Sequence, residues 1–179
     1  MTCIDAGNPC VFIEAKDVHV DGAILPDAID SNPALLAKLD SVRRKASVAM
    51  GISKDEASTP GSIPKIAMVS RSKTHTTLSG SITEGSSIDL LVRALSVGQP
   101  HRAVPITVAM AIAASANLKG SVVDNVTAVN KVDAGGLTIG HSSGKIMVGA
   151  KFDDAHSLTY ATVFRTTRRL FDGIVYYPG

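Results

Sequence analysis

Residues 106–118 read Ile-Thr-Val-Ala-Met-Ala-Ile-Ala-Ala-Ser-Ala-Asn-Leu, and the architecture turns on how this stretch folds. Apolar or small side chains fill nearly every position, so a helix formed here has no polar face to offer solvent and is buried on every side. Pro105 stands before it and Gly120 terminates it. Both are residues found at helix boundaries.

Working outward, the flanks read mostly as strands. Cys10–Ile13 is a short apolar run after the turn residues Gly7-Asn8-Pro9, and Ile66–Val69 is another. Thr74–Ile82 alternates loosely, with Gly80 as a weak point. Downstream, strands are expected at Ser121–Val129, Leu137–Ile139, Lys145–Phe152 and Ala161–Arg168, with turns at Ala134-Gly135-Gly136 and Ser142-Ser143-Gly144. Asn32-Pro33 opens an outer helix carrying Leu35, Leu36, Leu39, Val42, Ala46 and Ala49, and Gly51 stops it. Arg43, Arg44 and Lys45 are expected on its solvated face. Ser87 is expected to cap a further helix with Ile88, Leu91, Val92 and Leu95 at helical spacing, ending at Gly98. The fold class is α+β, with several strands around one small-residue helix.

Composition narrows the function. The 179 residues are 45% hydrophobic and 19% charged, which excludes general disorder and suits one domain over 1–179. A net charge of +2, 4% aromatic residues and no Trp argue against a nucleic-acid surface. The apolar run Val108–Ala114 is too short for a membrane span. Cys3 and Cys10 are too few for a disulfide framework, and no basic-then-apolar leader opens the chain; both fit a cytoplasmic protein. The five His, at 19, 75, 101, 141 and 156, form no metal motif. Neither phosphate-cradling nor dinucleotide-type glycine patterns occur, and no metal site is expected.

Four places carry chemistry. Asp5-Ala6-Gly7-Asn8-Pro9-Cys10 presents backbone N–H groups and the Asn8 amide at a chain reversal, which suits a carboxylate. Cys10 is a candidate thiol acid/base. The start of the buried helix, Pro105-Ile106-Thr107, offers unpaired N–H groups and a favourable dipole to an anion. Gly140-His141-Ser142-Ser143-Gly144-Lys145 is a donor-rich turn. It also matches the Gly-x-Ser-x-Gly nucleophile pattern, but a strand follows where that motif needs a helix. Last come Arg165, Arg168 and Arg169, whose guanidinium groups grip carboxylates bidentately.

In this order the strings Ile4–Phe12, Ile88–Arg93, Ser96–Gly98, His101–Thr107, Ile139–Ile146 and Ala161–Leu170 resemble the second half of PrpF-family proteins. These are the 2-methylaconitate, methylitaconate and oxalomesaconate isomerases, which share the diaminopimelate epimerase-like fold. The resemblance implies a barrel-like mixed sheet around a central helix at about 106–118. It also implies an active-site cleft against a second domain, and no cofactor. The implied chemistry is proton abstraction and return, or cis–trans isomerisation, on a small unsaturated di- or tricarboxylate. For such a substrate the expected carboxylate contacts are Asn8, Thr107, Ser142, Ser143 and Arg165, with Cys10 or His141 as the candidate base of a self-paired chain. The family's first half normally supplies the Cys and Lys of proton transfer. A homodimer, or pairing with a missing N-terminal half, is therefore expected. The alternative is an incomplete half acting as a carboxylate-binding or interaction module. Thr107-Val108-Ala109 stands where the family often has Thr-Gly-Ala.

Overall fold

A computed structural model of the chain describes residues 1–165, 169–174 and 176–177. Its first hairpin joins β1 (Thr2–Asp5) to β2 (Pro9–Glu14). Helices α1 (Pro26–Asp30) and α2 (Pro33–Ala49) follow, then β3 (Lys65–Arg71) and a small ribbon of β4 (His75–Thr76) with β5 (Ile82–Thr83). The second half holds β6 (Leu90–Ser96), β7 (Gln99–Pro100), α3 (Ile106–Ser115), α4 (Val122–Val126), β8 (Leu137–His141), β9 (Gly144–Phe152) and β10 (Leu158–Phe164).

Except for the β4–β5 ribbon, the strands form one mixed sheet ordered β1-β2-β3-β6-β8-β9-β10, with β7 alongside β6. Both ends of that order, β1 and β10, touch α3, so the sheet is rolled around the helix. Val108, Ala109, Ala111, Ile112, Ala113, Ala114 and Ser115 of α3 are buried. The alanines let the curved sheet approach closely, as the central helix at 106–118 requires. Phe12, Ala67, Val69, Leu90, Val92, Ile139 and Val148 line the concave face against α3. Val11, Ile13, Ile66, Met68 and Leu95 point the other way, onto Leu35 and Leu39 of α2. The Asn32 side chain caps α2 by accepting from Leu35 N at 3.0 Å, as the Asn-Pro start implied.

Three expectations are corrected. The segment expected as a helix from Ser87 to Gly98 is strand β6, parallel to β8 and antiparallel to β3. Every residue from Leu90 to Leu95 is buried, because this strand is covered on both faces, so it shows none of the alternation that marks a half-exposed strand. Val97 and Gly98, at φ 52° and 73°, instead turn the chain tightly into β7. Ser121–Val129 is not a strand: Ser121 accepts from Asp124 N at 3.0 Å and caps the short helix α4. Arg43 does not lie on a solvated face. It is 5% exposed, ion-paired with Asp40 at 2.8 Å, and donates to Pro60 O and Ile63 O.

Smaller adjustments follow. Thr74–Ile82 contributes only the first strand of the ribbon and the turn after it, and its last residue opens the second. The final strand begins at Leu158 and closes at Phe164; Arg168 lies outside the described residues.

Candidate functional site

The strand directions gather the chemistry. β2 runs parallel to β3, β3 antiparallel to β6, β6 parallel to β8, and β8 antiparallel to β9. The starts of β2 and β3 and the end of β6 therefore lie together at one end of the sheet, while the β8–β9 hairpin turns back earlier, with Gly140 level with Leu91 near the start of β6. The loop from His101 to Pro105 crosses that end and delivers the N-terminus of α3 there.

At the start of β2, Asn8 is half-buried and its Oδ1 has no hydrogen-bond partner among the described residues. Cys10 is 1% exposed and packs into the α3 core, its Sγ donating to Asn8 O at 3.3 Å. Burial pushes the thiol up to about 12, against the opposing pull of the Lys65 charge. It therefore holds its proton at neutral pH, and nothing in its surroundings activates it as a base.

Lys65, level with Cys10 in the β2–β3 ladder, places Nζ 3.4 Å from Thr107 Oγ1. Thr107 sits in the first turn of α3, whose N-cap, Pro105, supplies no side-chain acceptor. The first backbone bond into the helix runs from Ala109 N to Pro105 O. The preceding N–H groups have no intrahelical acceptor and face the rim with the positive end of the dipole. His101 pairs its Nε2 with Ser96 Oγ at 2.7 Å. Burial, with the Lys65 charge, holds its pKa below the usual histidine value, so it is neutral near pH 7.

The β8–β9 hairpin carries His141, Ser142 and Ser143. Ser143 Oγ donates to Arg102 O at 2.6 Å, tying the hairpin to the loop that leads into α3. Ser142 is 1% exposed with an unpartnered Oγ, while Leu78 N holds its carbonyl at 2.7 Å. His141 is 9% exposed and accepts from Ser143 N through Nδ1 at 3.2 Å. Burial first, then the charges of Arg93, Arg165 and His75, push it down to about 4. It is neutral at physiological pH, and with its Nδ1 lone pair held by Ser143 N its proton sits on Nε2.

Arg165 is near enough for its charge to act on His141, but it does not join the other expected substrate contacts. It lines a cavity of about 420 Å³ with Ser87, Thr138, Lys145, Met147 and Phe164, a set that includes none of Asn8, Thr107, Ser142 and Ser143. Arg169 is exposed and pairs with Asp172 at 2.9 Å. Among the described residues, no group of three or more His, Cys, Asp or Glu is placed to hold a metal ion. No helix among them is long and apolar enough to cross a membrane.

Sequence reading missed Lys65, His101 and Asp89. Lys65 opens a strand and looks like a solvated end. His101 needs its spatial neighbours to stand out. Asp89 is buried and accepts Val132 N and Thr138 N at 2.8 and 2.6 Å, bolting the loop before β8 to the start of β6. An Asp just before a run of apolar residues was its one available signal.

The family profile described as PrpF protein matches residues 1–178. The chain belongs to the PrpF family. Within it, the chain is 36% identical to a 2-methyl-aconitate isomerase of Shewanella oneidensis, over 99% of this chain and 45% of that protein. It is 31% identical to a 3-methylitaconate isomerase of Eubacterium barkeri, over 98% and 47%. A crystal structure of methylitaconate-delta-isomerase superposes with a TM-score of 0.85 at 30% identity, covering 96% of this chain and 45% of that one. The fold is therefore the diaminopimelate epimerase-like one expected from the sequence. The chain spans about half the length of the curated PrpF-family relatives it matches.

Proposed function

We propose that this chain works as one domain of a cofactor-independent isomerase for a small unsaturated di- or tricarboxylate of the aconitate or methylaconitate type. It corresponds to the second half of the longer isomerases. The observation that carries this reading is the rim itself. There the Thr107 hydroxyl and the open first turn of α3 have donors to spare, beside the unpaired Asn8 Oδ1 and a hairpin whose Ser143 hydroxyl already donates to Arg102 O. Such a rim compensates buried carboxylates, which are costly to desolvate without partners.

Holding a carboxylate against helix N–H groups stabilises the carbanion formed when a proton leaves the adjacent carbon. The electron pair then delocalises over the neighbouring double bond. The proton returns at the far carbon, or at the same carbon after rotation, so no redox partner is needed. In this chain Cys10 is sealed and protonated, so of the two candidates His141 is the one left to exchange a proton, through its Nε2–H while Ser143 N holds Nδ1. A second proton carrier comes from a second copy or from a chain supplying the other half. Val97 and Ile106, 67% and 50% exposed, are apolar side chains available for that pairing. The setting is cytoplasmic.

The high pKa of Cys10 favours one further reading, a carboxylate-binding module without turnover. Proton NMR of the purified chain with cis-aconitate, trans-aconitate and 2-methylaconitate in D₂O separates the two. Isomer interconversion or deuterium uptake that is lost in His141→Gln supports the isomerase. Binding without exchange supports the module.

A further inference from the structure

We infer that the Lys65 ammonium binds a carboxylate of the acid directly, acting as the charged anchor of the rim; this rests on the reading that the rim receives a small carboxylate. Three observations converge on it. Lys65 is half-buried, and among the described residues it pairs with no Asp or Glu; the one acceptor within reach is Thr107 Oγ1. An ammonium has three donors, so two are left for an incoming group. A partly desolvated cation without a counter-charge is expensive, and a bound anion relieves that cost.

The surroundings are the second observation. Lys65 lies level with Cys10 in the ladder, and its charge acts on both Cys10 and His101. Both are neutral at physiological pH, so neither takes up the charge. The third is Thr107. Its hydroxyl accepts from Lys65 and keeps its own proton free, and it sits in the helix turn whose N–H groups are open. An oxygen of one carboxylate can take the ammonium while the other takes the hydroxyl or a helix N–H. A point cation beside a helix end suits a compact carboxylate on a short carbon chain and has no use for an uncharged ester.

The test is calorimetric titration of the 179-residue chain with propane-1,2,3-tricarboxylate, a saturated acid without a double bond to isomerise, at constant ionic strength. Its trimethyl ester is the uncharged control, and amide spectra of each variant verify folding. Losing a hydrogen bond to a charged group weakens binding about tenfold or more. Lys65→Met is expected to show that loss, Lys65→Arg to recover most of it, and the ester not to bind. Lys65→Gln serves in the same comparison where the Met variant folds poorly. Wild-type binding with unchanged affinity in the Met or Gln variant overturns the role of Lys65 and leaves the carboxylate reading standing. A wild-type chain that binds no tricarboxylate overturns that reading, and the inference with it.

Discussion

Replacing Asp89 with Ala removes the acceptor of two backbone donors at once. Its carboxylate takes Thr138 N at 2.6 Å in a fully buried contact and Val132 N at 2.8 Å in a partly buried one. A hydrogen bond to a charged group contributes about 1.5–3 kcal/mol, and a buried donor left alone costs about 1–3 kcal/mol. Thr138 N incurs the full penalty, whereas water can reach Val132 N and refund part of its loss. Asp89→Ala is therefore expected to destabilise the fold by roughly 3–4 kcal/mol, near 10 °C in Tm for a chain of this size. Asp89→Asn keeps one acceptor oxygen but turns an N–H toward the other donor, so roughly 2 kcal/mol is lost. Urea unfolding followed by far-UV circular dichroism measures both, with the denaturant slope expected to stay constant. An Ala variant within about 1 kcal/mol of the parent would refute the reasoning, because two unpaired donors in this setting cannot cost so little.

Other consequences are as direct. The His141 pKa falls from 6.5 to about 4 in the folded state, so below pH 6.5 the unfolded chain takes up a proton that the folded chain refuses. Stability should decline as the pH drops from about 6.5 to about 4 and level off below, by at most on the order of 3 kcal/mol; urea titrations of His141→Gln should lack that component. Gly140→Ala would set a Cβ 2.6 Å from Ile88 Cδ1 and 2.8 Å from Leu91 Cδ2, and overpacking of this kind costs about 1–3 kcal/mol in thermal unfolding. Iodoacetamide at pH 8, read by peptide mass spectrometry, should modify exposed Cys3 well before Cys10, and equal rates would contradict the buried, protonated Cys10 thiol.

How much was legible follows from where each signal was local. The all-round apolar character of residues 106–115 needs no partner to be read, and it named the central helix. Asn32-Pro33 and Ser142-Ser143-Gly144 carry their own cap and turn chemistry, and both stand where the sequence put them. β6 was misread because a strand buried on both faces has no period of two, and Leu91, Val92 and Leu95 fall by chance at helical spacing. Ser121 is a cap, but α4 behind it is only five residues long and too brief for a period to emerge. Arg43 shows the limit of charge patterns: its carbonyl partners at Pro60 and Ile63 belong to a loop that no helical wheel contains. At the site, Asn8, Thr107 and Ser143 announced themselves as turn and cap residues. Lys65 and His101 did not, since their meaning lies in a ladder register and a loop crossing.

The most direct test of the account is an amide chemical-shift map of the ¹⁵N-labelled chain titrated with trans-aconitate. Perturbations are expected to concentrate at Gly7, Asn8, Cys10, Lys65, Thr107–Val108 and His141–Gly144. Shifts confined to the outer cavity around Ser87, Lys145 and Phe164, or none at millimolar acid, would contradict it.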